Sequence, residues 1–346
     1  MKAFEIKFTK TILLASFFMT ILAIVFCVFG TQKVNAVSSA INIPTDYVNI
    51  GFPHGMVMSD DGDIWYVDTL NTRLVKYDPD TNTIVRTVGR LGTNEGEFSS
   101  GIYNITQDDE GNLYILSTNG LVYKLDSNGG YLASYDLTVG GGLAYPNGLS
   151  SPRGITYDAY TNSILITNHD NDRVEKFTKD LEFVSGFGSH GSGNYQFDGP
   201  WGITTDSSGR IYVADEYDTN SRIMVYSSGY SYLFQIKNWV DENKVPRGFT
   251  GESAVKDVLI LDDGTITVTA QNASRVVQFN SSGGYLRTWG FTGPDIRHMQ
   301  GPEFMVKDST NNIYVSDLGK NSILKYSNTG TYLDSLKKLD LESGKL

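Results

Sequence analysis

The chain has 346 residues, with 36 glycines, 21 tyrosines and a charged fraction of only 19%. This composition is typical of a turn-rich β protein and not of a helical one. The formal net charge of -11 at pH 7 argues against a nucleic-acid partner, because proteins hold nucleic acids largely through Lys and Arg on the phosphates.

The N-terminal 36 residues differ from the rest of the chain. A lysine-bearing start precedes the apolar run TILLASFFMTILAIVFCVFG, and Val34 and Ala36 have the small size that a signal peptidase accepts. We therefore predict a signal peptide over residues 1–36 and a secreted or surface-located, extracytoplasmic protein. An uncleaved N-terminal membrane anchor is the alternative, because the apolar run is long enough to span a bilayer.

Six repeats follow, and two columns of residues define them. A tight hairpin turn needs a residue that tolerates positive φ, and each repeat has Gly or Asn before its second strand. This first column comprises Gly62, Gly111, Asn162, Gly209, Gly264 and Asn311, at steps of 47 to 55 residues. The second column closes the third strand with Tyr77, Leu125, Phe177, Tyr226, Phe279 and Tyr326. Four short strands in such a period are typical of a propeller blade.

We therefore predict an all-β, six-bladed β-propeller with four-stranded blades over residues 37–346. The second strand of a repeat, as in RIYVAD, is apolar on both faces, so each small sheet must be covered on both sides by its neighbours. The segment INIPTDYVNIGF, residues 41–52, is a candidate for the outermost strand of the last blade.

The repeats also contain recognisable motifs. The fourth repeat carries PWGITTD, GRIYVAD and NSRIMVY, and the first and third repeats open with the related PHGMVMSD and PRGITYD. These strings resemble the signature of the NHL-repeat family of six-bladed propellers, which implies the same fold for nearly all of the exported chain. The resemblance implies little about activity, because this fold hosts ligand binders, sensors and lyases alike.

In such propellers the residue between Pro and Gly of the P-x-G opening lies where the innermost strand meets the central channel. The second and fifth repeats lack Pro and Gly, so their residues are placed by position alone. The ligand-binding candidates are His54, Tyr103, Arg153, Trp201, Lys256 and Glu303. Channel mouths with convergent polar groups are common binding sites, although a wet mouth also tolerates polar residues that have no function.

Two cations in this set are an exception on an acidic chain. We therefore expect a small ligand with an anionic group, because Arg153 could grip a carboxylate with two hydrogen bonds and Trp201 could stack on a flat group.

The PHG of the first repeat also resembles that of the peptidyl-hydroxyglycine amidating lyases, whose zinc is held by three histidines. The virginiamycin-type lyases, which are related propellers, use histidine and glutamate with a divalent metal. Only His54 of the four histidines lies in the channel column, whereas His169, His190 and His298 fall in turns or loops and are expected to be solvated. We predict no metal site and no cofactor, and we assign no catalytic residue.

Arg and Asp recur at the ends of neighbouring strands. The third strand opens with Arg73, Arg173, Arg222 and Arg275, and the second strand ends with Asp68, Asp215 and Asp317. Because an active site should occur once in the chain, this repetition indicates structural Arg–Asp pairs.

The leading hypothesis is a non-catalytic propeller that binds a ligand or protein through its loop faces and channel mouth. A metal-assisted lyase or hydrolase at the channel mouth is one alternative, and a structural cell-surface component is another. The predicted partner is a protein or a small anionic ligand. Nucleic acid is not expected, and a membrane would be contacted only through an uncleaved N-terminal segment.

Cleavage after Ala36 can be tested directly. N-terminal sequencing of the exported protein should begin at Val37, because the peptidase recognises the small residues just before that bond. An intact Met1 on membrane-bound protein would show that the segment is an anchor.

Overall fold

The structure, a computed structural model, describes residues 51–139, 148–217, 221–240, 245–249, 254–293, 295 and 297–336. Within these residues the chain forms six four-stranded antiparallel sheets, which confirms the predicted all-β, six-bladed propeller. The described helical structure is one 3-10 turn at His169–Asn171. No helix in the described ranges is long and apolar enough to cross a membrane, and the predicted signal segment lies outside those ranges.

Each blade uses four strands that are consecutive in the chain. The first two blades comprise β1 (Pro53–Met58), β2 (Ile64–Asp68), β3 (Arg73–Asp78), β4 (Thr83–Val88), β5 (Ile102–Gln107), β6 (Leu113–Ser117), β7 (Leu121–Leu125) and β8 (Tyr131–Asp136). The third and fourth comprise β9 (Ile155–Asp158), β10 (Ser163–Asn168), β11 (Arg173–Phe177), β12 (Phe183–Phe187), β13 (Pro200–Thr205), β14 (Ile211–Asp215), β15 (Arg222–Tyr226) and β16 (Tyr232–Ile236).

A two-stranded hairpin, β17 (Asn238–Val240) and β18 (Pro246–Gly248), follows the fourth blade. The last two blades comprise β19 (Val255–Ile260), β20 (Ile266–Ala270), β21 (Arg275–Phe279), β22 (Tyr285–Trp289), β23 (Pro302–Lys307), β24 (Ile313–Asp317), β25 (Ser322–Tyr326) and β26 (Tyr332–Leu336).

The innermost strands β1, β5, β9, β13, β19 and β23 pack side by side, and β1 contacts β23 to close the ring. The outermost strand of the sixth blade is β26, which comes from the same repeat as its neighbours. Among the described residues, Gly51 and Phe52 of the proposed closing segment are not in a strand, and the rest of that segment lies outside them.

The turn column has the backbone conformation that its residue types predict. Gly and Asn in the six turns all have positive φ, between 51° and 90°. A residue with a larger or branched side chain would be strained there, so these positions fix where each hairpin reverses.

Six apolar clusters lie between the blades, one at each interface. Successive side chains of a strand point to opposite faces. In β2, for example, Trp65 packs towards the second blade and Tyr66 towards the sixth, and both are completely buried. This explains why the second strands are apolar on both faces.

The predicted Arg–Asp pair is confirmed in the first and fourth blades. Arg73 lies 2.9 Å from Asp68, and Arg222 lies 3.0 Å from Asp215. Arg222 is fully buried and also donates to three backbone carbonyls and a glutamine, so it ties β15 to the preceding loop.

The arginine has a different neighbour in the third and fifth blades, whose second strands do not end in aspartate. Arg173 pairs with Glu175 at 2.8 Å, because the second strand of that blade ends at Asn168. Arg275 lies 4.6 Å from the centroid of the Phe291 ring.

Hydrogen bonds between blades hold the innermost strands together near the channel. Side chains of one blade donate to backbone carbonyls of the next, from Asn104 to Arg153 (3.1 Å), Thr167 to Trp201 (2.6 Å) and Thr269 to Glu303 (2.8 Å). Between the fifth and sixth blades, the Asp257 carboxyl accepts the Met305 backbone N–H at 2.8 Å. Burial raises the pKa of Asp257 to about 7, although this N–H bond opposes the shift.

Replacing Arg222 by alanine should destabilise the fold strongly. The substitution leaves Asp215 buried without its cation, which typically costs about 3–5 kcal/mol of the free energy of unfolding. Urea unfolding measures this value. Arg297→Ala is the control, because the Arg297 side chain is 65% exposed in its pair with Asp295 and should matter by less than about 1 kcal/mol. Equal losses for both variants would contradict a structural role for the buried pair.

Asp257 should make the stability depend on pH. Its folded-state pKa lies above the ordinary value of 3.8, so between about pH 4 and 7 the folded state holds a proton that the unfolded state has released. The free energy of unfolding should therefore fall with rising pH in that window.

Asp257→Asn removes this titration. Its stability relative to the parent should rise by roughly 1 kcal/mol per pH unit between pH 5 and 7 in denaturant unfolding. Asp60→Asn, on an exposed turn, is the matched control and should track the parent. Parallel profiles for all three proteins would contradict the raised pKa.

Candidate functional site

The backbone before five of the six channel residues is held by the side chain that ends the second strand of the same blade. In four blades a buried side chain accepts a backbone N–H at 2.6–3.2 Å; the acceptors are Asp68, Asn168, Asp215 and Asp317. The donors are Gly51, Ser150, Asp198 and Gln300, each three residues before the channel residue of its blade. In the second blade Ser117 donates to the Ser100 carbonyl at 3.3 Å, again three residues before Tyr103.

The glycine of the P-x-G opening is required by close packing. A Cβ atom on Gly55 would lie 2.1 Å from Asn104 Oδ1, and one on Gly202 would lie 2.6 Å from Asp257 Oδ1. Asn104 and Asp257 are the residues that replace glycine in the second and fifth blades, so each fills the space that a glycine of the preceding blade leaves. This explains how two repeats without the motif still fit the ring.

The structure brings all six predicted channel residues into one cluster. The Tyr103 hydroxyl donates to Glu303 Oε1, and the His54 ring lies 4.4 Å from the Tyr103 ring and 3.4 Å, through Nε2, from Glu303 Oε2. Arg153, Lys256 and Trp201 complete the cluster. The Arg153 guanidinium lies 5.1 Å from the Tyr103 ring centroid and 4.6 Å from that of Trp201, and Lys256 Nζ lies 3.3 Å from the latter.

Burial differs within the cluster. Tyr103, Lys256 and Glu303 are buried, with 6%, 6% and 2% of their surface exposed. Arg153 and Trp201 are only partly buried, and the His54 side chain keeps 12% of its surface exposed. The cluster therefore packs on itself and reaches solvent through these three residues.

Lys256 is neutralised inside the cluster. Its ammonium forms an ion pair with Glu216, whose carboxylate also lies 3.8 Å from His169 Nε2. Burial lowers the pKa of Lys256, and the Glu216 charge opposes this shift. Burial would raise the pKa of Glu216, but His169 and Lys256 outweigh it and lower the pKa.

Arg153 is not neutralised in this way. Among the described residues its guanidinium has no ion pair, its buried Nε has no hydrogen-bond partner, and its contacts are the two aromatic rings. The buried atoms Trp201 Nε1 and Glu303 Oε2 also have no hydrogen-bond partner there. Unpartnered buried polar groups also occur elsewhere in the described residues, but here three of them meet next to partly exposed side chains, so this part of the channel is the candidate site.

Three functional candidates were missed by the sequence analysis. His169, Glu216 and Tyr217 follow the second strands of the third and fourth blades and lie beside Trp201 and Lys256. The expectation that His169 is solvated was wrong, because its residue is only 5% exposed and its ring packs 5.3 Å from Trp201.

A signal for these residues was present in the repeats. The position after the second strand holds Thr69, Thr118, His169, Glu216, Gln271 and Leu318. Only the third and fourth repeats place an ionisable side chain there, and those blades are neighbours. The comparison of repeat positions that located the channel residues could therefore have found His169 and Glu216, whereas Tyr217 lies one position later.

The residues of the channel do not fit a catalytic zinc or magnesium site. In the described part of the chain, only Asp172, His190 and Asp198 bring three ligand atoms within 4.8 Å of one another. This group involves an exposed histidine outside the cluster, and its His190 Nδ1 already lies 3.0 Å from Asp172. His54 contacts the Tyr103 ring and His169 the Trp201 ring, and neither histidine belongs to a group of three ligand atoms among the described residues.

Comparison with protein families identifies one repeat. The NHL repeat family matches residues 197–226, which cover the fourth blade from the loop before β13 to the end of β15. No curated protein sequence matches the chain.

Solved structures share the fold at low sequence identity. A streptogramin B lyase is 16% identical with a TM-score of 0.52, and 86% of each chain is covered. A catalytically inactive variant of virginiamycin B lyase from Staphylococcus aureus with quinupristin is 15% identical with a TM-score of 0.54, covering 87% of this chain and 88% of that one. A nidogen/laminin complex contains a chain that is 14% identical with a TM-score of 0.55, covering 77% of this chain and 90% of that one.

These likenesses concern the fold, since similar propellers occur in lyases and in a protein complex. Together with the six four-stranded blades, they show that this chain is a six-bladed β-propeller, and one of its blades matches the NHL repeat.

Proposed function

We propose that the chain is a ligand-binding propeller and that its channel cluster holds a small molecule with an anionic group. The observation that carries the proposal is the Arg153 guanidinium, a partly buried cation without a carboxylate partner among the described residues. Removing a cation from water without a counter-ion is costly, and a ligand anion would offset that cost.

The surroundings of Arg153 suit this role. Trp201 and Tyr103 contact the guanidinium through their rings, so they orient it without using its N–H donors. The free donors of a planar guanidinium match a carboxylate with two parallel hydrogen bonds. Since both cations already lie over Trp201, this residue positions Arg153 and is not proposed as a stacking surface for the ligand.

The proposal places this binding outside the cytoplasm. Its support is the lysine-bearing start, the apolar run and the small residues before position 37. NHL-repeat propellers are commonly protein-binding modules, so a protein that presents an anionic side chain or terminus to the channel is a second form of the same proposal.

A lyase or hydrolase is the competing function, and the lyases among the structural neighbours motivate it. The metal-assisted form lacks a ligand set in the described part of the channel. A stoichiometric divalent ion that copurifies with the protein would favour this alternative over simple binding.

Benzoate is a suitable probe for the anion site, because it presents one carboxylate on a rigid ring. Arg153→Gln should weaken benzoate binding by about 1–3 kcal/mol in calorimetry, since the substitution removes the charge and most donors. Arg287→Gln, on the exposed outermost strand of the fifth blade, is the matched control and should bind as the parent does.

Two results would contradict the proposal. One is a parent protein that binds neither benzoate nor other small carboxylates. The other is an Arg153→Gln variant that keeps its fold by circular dichroism and binds benzoate as tightly as the parent.

A further inference from the structure

The contact between His54 and Glu303 lacks a hydrogen-bond donor. His54 Nδ1 lies 3.0 Å from the Phe52 carbonyl oxygen, and a carbonyl oxygen can only accept. Nδ1 therefore carries the ring proton. In a neutral imidazole the other nitrogen, Nε2, then has only a lone pair, so it is an acceptor as well.

This acceptor faces a second acceptor. Glu303 Oε2 lies 3.4 Å from His54 Nε2, and it has no hydrogen-bond partner among the described residues. Tyr103 cannot fill the gap, because its single hydroxyl proton is donated to the other carboxylate oxygen, Oε1. Two lone pairs therefore meet in a place where the Glu303 side chain is only 2% exposed.

A second proton on His54 would supply the missing donor, but the surroundings oppose it. Burial lowers the pKa of His54 and outweighs the effect of the Glu303 charge, and the nearby Arg153 lowers this pKa further. At neutral pH the two acceptors thus suit a donor that comes from another molecule and lies beside them.

The opposite situation, buried donors without acceptors, occurs elsewhere in the cluster. Arg153 Nε and Trp201 Nε1 are buried donors without acceptors among the described residues. Tyr103 links the two regions, since its ring contacts Arg153 and its hydroxyl contacts Glu303. A simple anion would satisfy the donors and leave the two acceptors facing each other.

We propose that the ligand of the channel cluster is a carboxylate that also carries a hydrogen-bond donor, either a hydroxyl or an amine. The carboxylate binds Arg153, and the donor lies beside the pair of acceptors, within hydrogen-bond reach of His54 Nε2 and Glu303 Oε2. This inference rests on the proposed function, because it adds a second recognition element to the same anion site.

Three rigid probes test the inference: benzoate, 3-hydroxybenzoate and 4-hydroxybenzoate. They share the ring and the carboxylate, so a difference in affinity reports the hydroxyl and its position. At least one hydroxybenzoate should bind the parent about tenfold or more tightly than benzoate does, because hydrogen bonds to charged groups contribute on this scale.

Glu303→Gln identifies the acceptor. A glutamine keeps an oxygen for Tyr103 and places its NH₂ group against His54 Nε2, so the protein itself supplies the missing donor. The affinity ratio of hydroxybenzoate to benzoate should then fall to about one. His54→Phe keeps a ring against Tyr103 and removes one acceptor, so it should also lower this ratio.

The control is His190→Gln, since the His190 side chain is 74% exposed, and this variant should keep the ratio of the parent. If benzoate binds through Arg153 but no hydroxybenzoate is preferred, the inference is overturned and the proposed function stands. A preference that survives in both Glu303→Gln and His54→Phe would also overturn it. If none of the three probes binds the parent, both proposals fail.

Discussion

In four blades a buried Asp or Asn at the end of the second strand accepts a backbone N–H from the loop that enters the blade. Each of these bonds acts three residues before the residue that enters the channel. The acceptor is fully or almost fully buried, so an unmade bond would leave a desolvated polar group, which costs about 1–3 kcal/mol. In these blades the position of the channel side chain therefore depends on a structural interaction that the repeat supplies.

The aspartate that accepts the loop N–H can also form the repeated Arg–Asp pair. Asp215 uses one oxygen for the loop N–H and the other for Arg222, so its charge is satisfied within the scaffold. The channel residues are attached to the backbone that this scaffold holds, but their side chains differ in every blade. Asp215 and Arg222 thus satisfy each other within the scaffold, whereas Arg153 and Glu303 in the channel keep buried atoms without a hydrogen-bond partner among the described residues.

The fold was predictable because its determinants are local and repeated. Positive φ at Gly62 and Asn162 follows from turn chemistry, and burial of both faces of the second strands follows from their composition. The six channel positions were also predictable, because each lies at a constant place in its repeat. The second and fifth blades depart from the motif, but Asn104 and Asp257 pack where the glycines of the preceding blades leave space, so counting positions was sufficient.

The contacts between channel side chains could not be predicted in the same way. Tyr103 and Glu303 are 200 residues apart in the chain, and they meet only because the ring closes between β1 and β23. The same closure decides which cation is paired: Lys256 reaches Glu216 of the neighbouring blade, while Arg153 faces two aromatic rings. Turn and strand positions follow from periods along the chain, whereas partners inside the channel follow from distances across it, which no local pattern encodes.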